Sequence, residues 1–179
     1  MKKLLLLLLV TTFSTLLYSQ ATAYSNFKLA EQEIIYQKVF EKDSITSAKL
    51  EAYYQTLSYV TNLEAKSDGI QFEMNDISVD YKKFQFSQVN TPLIIQTGKY
   101  SGKVSISIKD GKYRITIKSI QLTGNIVYKM IAERDNLTRY ATKNSGTVLA
   151  EDWCRPNMLG LLDKAFSDKL ECKTTEDEW

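Results

Sequence analysis

Lys103, Lys109, Lys112, Arg114 and Lys118 lie in one short stretch and alternate with apolar residues. Cations projecting together from one surface attract an anionic partner. Such a partner would be an anionic glycan, a lipid head group or an acidic envelope-protein face. The bland alternative is a solvated face whose lysines prevent edge-to-edge association. Glu73, Asp76 and Asp80 form a second charged group, suited to a metal or to acid/base work. Without any motif context, the favoured reading is a polar strand face with an Asx turn. Ser105 and Ser107 beside Lys109 offer a Ser-Lys pairing, but nothing nearby supplies an oxyanion hole. The chain has no His, which removes Ser-His-Asp and Cys-His catalysis and His-ligated zinc. It has no Gly-rich phosphate loop, no Cys-x-x-Cys and no calcium-loop spacing. No cofactor or metal site is called for.

The basic residues are positioned by two alternating segments around Asp110-Gly111, the strongest short hairpin signal. A two-residue turn puts Lys109 opposite Lys112, Ile108 opposite Tyr113, Ile106 opposite Ile115 and Val104 opposite Ile117. The other face pairs Ser107 with Arg114, Ser105 with Thr116 and Lys103 with Lys118. Each pair matches in polarity, so a slip of one residue is penalised along the whole hairpin. One face is core. The other meets water or a ligand.

Upstream, Glu33 to Phe40 is β-rich and reads as a strand. A helix follows from Asp43, Ser44 or Ser47, good capping types, with Leu50, Tyr53, Tyr54, Leu57 and Val60 at helical spacing. Ile70 to Phe86 alternates with a phase change at Asn75-Asp76. It reads as a second hairpin pairing Met74 with Ile77, Phe72 with Val79 and Ile70 with Tyr81, with a bulge at Lys82-Lys83. Asn90-Thr91-Pro92 breaks it, and Leu93 to Ile95 is a candidate short strand. Residues 125–150 read as a long loop with one further strand at 126–128. A last helix after Pro156-Asn157 carries Met158, Leu161, Leu162, Ala165, Phe166 and Leu170 on one face. Asn136-Leu-Thr138 matches a glycosylation sequon that reads as loop.

Met1-Lys2-Lys3, a short apolar run and small residues beyond it describe a signal peptide over 1–19, with cleavage as late as 23. Losing Lys2 and Lys3 from 23 basic residues leaves 21 against 21 acidic residues. That balance argues against a nucleic-acid partner, and no later segment is apolar enough to span a bilayer. A single domain over 24–172 and an acidic tail over 173–179 remain. An exported chain invites a bridge between Cys154 and Cys172. The intervening helix disfavours it, since some thirteen residues span about 20 Å and bridged Cα atoms lie within about 7 Å.

The order β-α-β-β-β-β-α implies a two-layer α+β sandwich, a mostly antiparallel sheet with two helices on one face. That order, the exported N-terminus and the turn Lys109-Asp110-Gly111-Lys112-Tyr113-Arg114 resemble the family of domain-of-unknown-function 4468 over about residues 31–122. These are secreted bacterial proteins, largely from Bacteroidetes, and the resemblance implies a fold like the TATA-binding protein. Where the family often has a Trp on its first helix, this chain offers Tyr53, Tyr54 or Tyr59. The family brings no known activity and no catalytic residues. The sequence therefore reads as an exported, periplasmic or cell-surface module that binds without catalysis through the face around Arg114. An accessory subunit of an envelope assembly, using residues 125–150 or the tail, is one alternative. An enzyme using Lys, Tyr or carboxylate chemistry is another.

Overall fold

A computed structural model describes residues 21–124 and 134–173. The signal segment 1–19, the strand expected at 126–128 and tail residues 174–179 lie outside the described residues. β1 (Ala23–Tyr24), β2 (Phe27–Ala30) and β3 (Glu33–Glu41) lead into α1 (Ser47–Gln55). β4 (Val60–Lys66), β5 (Gly69–Ser78), α2 (Leu93–Thr97), β6 (Lys99–Lys109) and β7 (Lys112–Thr123) follow. The chain continues through β8 (Asp135–Asn136), α3 (Leu137–Ala141), β9 (Thr142–Lys143) and β10 (Val148–Leu149) to α4 (Leu159–Leu170).

Among the described residues, eight strands form one antiparallel sheet in the order β1-β2-β3-β7-β6-β5-β4, with β8 continuing beside β7. α1 carries the chain from β3 to the far edge, and a meander returns it until β7 lies against β3. The protein is thus α+β with a mostly antiparallel sheet, as expected. The β1–β2 pairing at one edge, the separate two-stranded β9–β10 sheet and the short helices α2 and α3 add to the simple order.

The β6–β7 hairpin has the expected register at every one of the seven pairs named above. Asp110 and Gly111 both have positive φ, 50° and 71°, as the tight turn requires. Val104, Ile106, Tyr113, Ile115 and Ile117 are buried, while Lys103, Ser105, Lys109, Lys112, Arg114 and Lys118 are exposed. Leu50 and Tyr54 of α1 and the apolar stripe of α4 share one core with these inward strand residues. Phe166 stands at its centre, with ring centroids of Phe27, Tyr36 and Tyr100 at 6.0, 5.4 and 6.2 Å.

Residues 135–149, expected as part of a long loop, instead form β8, α3, β9 and β10, and four further expectations are corrected. Asn75-Asp76 is not a hairpin turn: β5 runs straight through it, and the turn lies at Ser67-Asp68. The phase change is a β-bulge, with Asp76 at φ 54° and the register against β6 shifting between Met74 and Ile77. A bulge and a turn shift alternation alike, so Phe72, Met74, Ile77 and Val79 are buried either way. Second, α1 stops at Gln55 and Val60 opens β4. Its cap is Thr46, whose hydroxyl accepts the Lys49 N–H at 3.2 Å. Third, residues 81–85 form a turn, not a bulged strand, with the Asp80 carboxylate accepting the Lys83 N–H at 3.1 Å. Fourth, Leu93–Thr97 is a helical turn started by Pro92, whose fixed φ suits that position.

The end of α4 is tied down by side chains distant in sequence. The Tyr59, Tyr54 and Tyr53 hydroxyls donate to the carbonyls of Lys169, Leu170 and Glu171. Lys42 Nζ donates to the Cys172 carbonyl at 2.8 Å, and the Cys172 N–H donates to the Tyr113 oxygen at 2.8 Å. The last carbonyls of a helix have no partner within it. Here phenols and an ammonium supply them, which also suits the negative end of the helix dipole. Replacing Tyr54 with Phe keeps the ring and strands the buried Leu170 carbonyl, so a loss of about 1–3 kcal/mol is expected, read as a lower melting temperature. Burial raises the phenols of Tyr36, Tyr54, Tyr59, Tyr100 and Tyr113 above their ordinary range. Unfolded phenols ionise near pH 10, so stability is full below that pH and falls as the pH rises past it. Tyrosinate absorbance should therefore appear for these five together with unfolding. Their titration at pH 10 in a folded protein would refute this.

Candidate functional site

The helices cover one face of the sheet and leave the other lined by polar strand residues. Two depressions open on that uncovered face. One, about 320 Å³, lies at the hairpin tip among Val39, Ser107, Lys109, Asp110, Lys112, Tyr113 and Arg114. The second, about 260 Å³, lies among Glu73, Met74, Asn75, Gly102, Lys103, Ser119, Gln121 and Arg134. Lys103 and Lys109 are six strand residues apart, about 20 Å. The five cations expected as one site are therefore divided. Lys109, Lys112 and Arg114 line the tip, Lys103 lines the second depression, and Lys118 lines neither.

At the tip, Lys109 and Lys112 face each other across the turn. Adjacent β3 relieves that like-charge pairing by placing Glu41 beside Lys112, with which it forms an ion pair. The Lys112 hydrogen bond holds the Glu41 carboxyl below its usual range and raises the Lys112 ammonium. Both groups are well exposed, so the pair adds little to stability. Its effect is to take one cation out of the face. Among the described residues, Lys109 and Arg114 make no side-chain hydrogen bond or ion pair. Val39, the register partner of Arg114, is 52% exposed and gives the tip an apolar wall.

The second depression exists because the strands are irregular there. The bulge at Asn75-Asp76 in β5 and another at Ser119-Ile120 in β7 flank β6 at Ser101-Gly102. Asp76 and Ser119 both have positive φ. The Ser101 hydroxyl accepts the Asp76 N–H at 3.1 Å, and the Glu33 carboxylate accepts the Ser119 N–H at 2.6 Å. Gly102 fits where a Cβ would come within 2.7 Å of Ile117 Cγ2. Each bulge was visible in the sequence only as a slip in alternation.

The other candidates have structural roles. Glu73 accepts from Asn62 at 3.1 Å, Asp76 occupies the bulge and Asp80 caps a turn. Among the described residues no three His, Cys, Asp or Glu side chains gather to hold a metal. Ser105 and Ser107 lie on the open strand face, with Ser107 at the tip depression. Asn136 of the sequon is the cap of α3, accepting the Thr138 N–H at 2.8 Å. Cys154 and Cys172 are not bridged to each other.

One constellation escaped the sequence. Ser167 Oγ lies 2.7 Å from Lys38 Nζ and 2.9 Å from the Tyr36 hydroxyl, and Asp163 accepts from Asn26 at 2.8 Å and from Tyr36 at 3.1 Å. These are the residue types of a Ser-Lys site. Here the Lys38 Nζ donates to the Ser167 hydroxyl, and every member of the group is engaged in hydrogen bonds within the fold. The cluster pins α4 to β3. Spacing could not reveal it, because its halves are more than a hundred residues apart.

An α+β domain with one helix-covered face and one open, bulged polar face is the class these features define. No family model matches the chain, and no curated protein matches it. It is similar to a solved TBP-like protein from Parabacteroides distasonis, with 10% identity and a TM-score of 0.46, covering 79% of this chain and 88% of that one. It is also similar to a solved DUF4468 family protein from Bacteroides ovatus, with 11% identity and a TM-score of 0.44, covering 84% of this chain and 86% of that one. Among the described residues no helix is long and apolar enough to cross a membrane.

Gly102→Ala tests the bulge geometry. The added methyl must push Ile117, and overpacking costs about 1–3 kcal/mol. A lower melting temperature is expected, and an unchanged one would show that the strands yield freely.

Proposed function

We propose that the protein is a non-catalytic binding module of the bacterial envelope that takes an anionic group at the hairpin tip. The observation that carries this reading is the pairing of Lys109 and Arg114, both without an internal partner, in a depression of about 320 Å³ beside exposed Val39. Arg presents a planar fork that suits carboxylate, sulfate or phosphate. An apolar wall beside it accommodates the body of a ligand. Export fits the N-terminal segment described above. Cleavage after residue 19 fits the fold better than cleavage after 23, because the Ala21 and Thr22 carbonyls accept from Leu149 and Leu29 at 2.8 Å each.

The melting temperature of the protein should rise with an anionic ligand at low salt, and the rise should vanish at high salt. Sulfated or carboxylated oligosaccharides and vesicles containing an anionic phospholipid are parallel arms that separate glycan from lipid. The paired reversal Lys109→Glu, Arg114→Glu should abolish the rise without lowering the melting temperature itself. Absence of any shift in all arms, or a shift that survives the reversal, would overturn the reading.

A further inference from the structure

The depression between the two bulges has a different chemistry from the hairpin tip. Its rim carries donors, Lys103 and Arg134, and a carboxylate, Glu73. It also carries groups that both donate and accept: Asn75, Ser119 and Gln121. Lys103 and Glu73 are register partners on β6 and β5 yet form no ion pair. Among the described residues Lys103 and Arg134 make no side-chain hydrogen bond or ion pair. Asn75 uses its amide N–H on Thr61 at 2.7 Å, and Glu73 receives the Asn62 amide on one oxygen. The Asn75 carbonyl and the second Glu73 oxygen remain open. A bare anion would use the two cations and find the acceptors repulsive. A neutral polyol would use the amides and leave the cations idle. A hydroxylated molecule bearing a carboxylate uses all of them.

The geometry points to this depression as a pocket for a uronic-acid sugar, the second contact of an acidic glycan lying along the open face. The carboxylate pairs with Lys103 and Arg134, and the ring hydroxyls with Glu73, Asn75, Ser119 and Gln121. A volume of about 260 Å³ has room for one sugar unit. Ser105 and Thr116 lie between the pocket and the hairpin tip, and Lys118 stands beside the pocket as the register partner of Lys103. An acidic oligosaccharide can thus touch both places, and two linked weak contacts bind more tightly than either. The inference deepens the reading of the open face as the ligand face and rests on it.

The test is amide chemical-shift mapping of the protein with D-galacturonate, trigalacturonate, galactose and inorganic sulfate. D-galacturonate is expected to move Gly102, Lys103, Ser119 and Gln121, with galactose and sulfate far weaker. Lys103→Ala and Gln121→Ala should each weaken that response at least severalfold at an unchanged melting temperature. Arg114→Glu should leave it intact but weaken trigalacturonate. Shifts confined to Lys109, Lys112 and Arg114 would overturn the pocket and leave the hairpin-tip reading standing. A response at the bulges equal for galactose or sulfate would overturn the assigned sugar class. Silence of both places towards every probe would overturn pocket and tip together.

Discussion

The structure depends on tying the C-terminal end of α4, around the buried Leu170 carbonyl, to side chains distant in sequence. Lys169, Leu170, Glu171 and Cys172 give their carbonyls to Tyr59, Tyr54, Tyr53 and Lys42. An unpaired buried carbonyl costs about as much as several ordinary contacts contribute. The end of α4 is therefore confined to the one position where α1, the loop after it and the start of β4 converge. Its middle is held by the network around Asp163 and by the ring cluster at Phe166. With its middle and its C-terminal end fixed, α4 lies over one face of the sheet. The opposite face is left to polar side chains, and there a ligand can approach the strands.

That face is not a flat charged plane. Two bulges flank β6, and each needs a side chain to take up a displaced N–H: Ser101 for Asp76, Glu33 for Ser119. Irregular strands leave space between outward side chains, which regular pairing would close. The hairpin tip opens for another reason, because the strands end there and Glu41 draws Lys112 aside. A regular hairpin and a distorted sheet centre thus produce two depressions of different chemistry on one surface.

What could be read from the residues follows the range of the interactions. The β6–β7 hairpin was fully legible, because a two-residue turn and strict alternation determine every partner locally. The inward stripe of α4 was legible for the same reason. The β5 bulge was misread as a turn because both shift alternation by one residue. β4 was hidden because Val60, Thr61 and Leu63 prolong a helical spacing that the chain leaves at Gln55. The divided cation site, the Asp163 network and the phenol caps were illegible, since each joins segments that only the folded sheet brings together. Tyr53 and Tyr54 were legible as core-facing bulk and Tyr59 only as a stand-in for the family's Trp, none of them as a hydrogen-bond donor to a distant helix.

The phenol-to-carbonyl bonds that close the domain span 110 to 118 residues of chain. Contacts of such separation form late, because the loop entropy must be overcome before they reward it. α1 is made early, but the sheet's inner face is not fully covered until α4 has emerged from the ribosome. The last helix acts as the timing element of folding. Until it docks, the apolar strand residues beneath it lack their cover, and the core is complete only with its arrival.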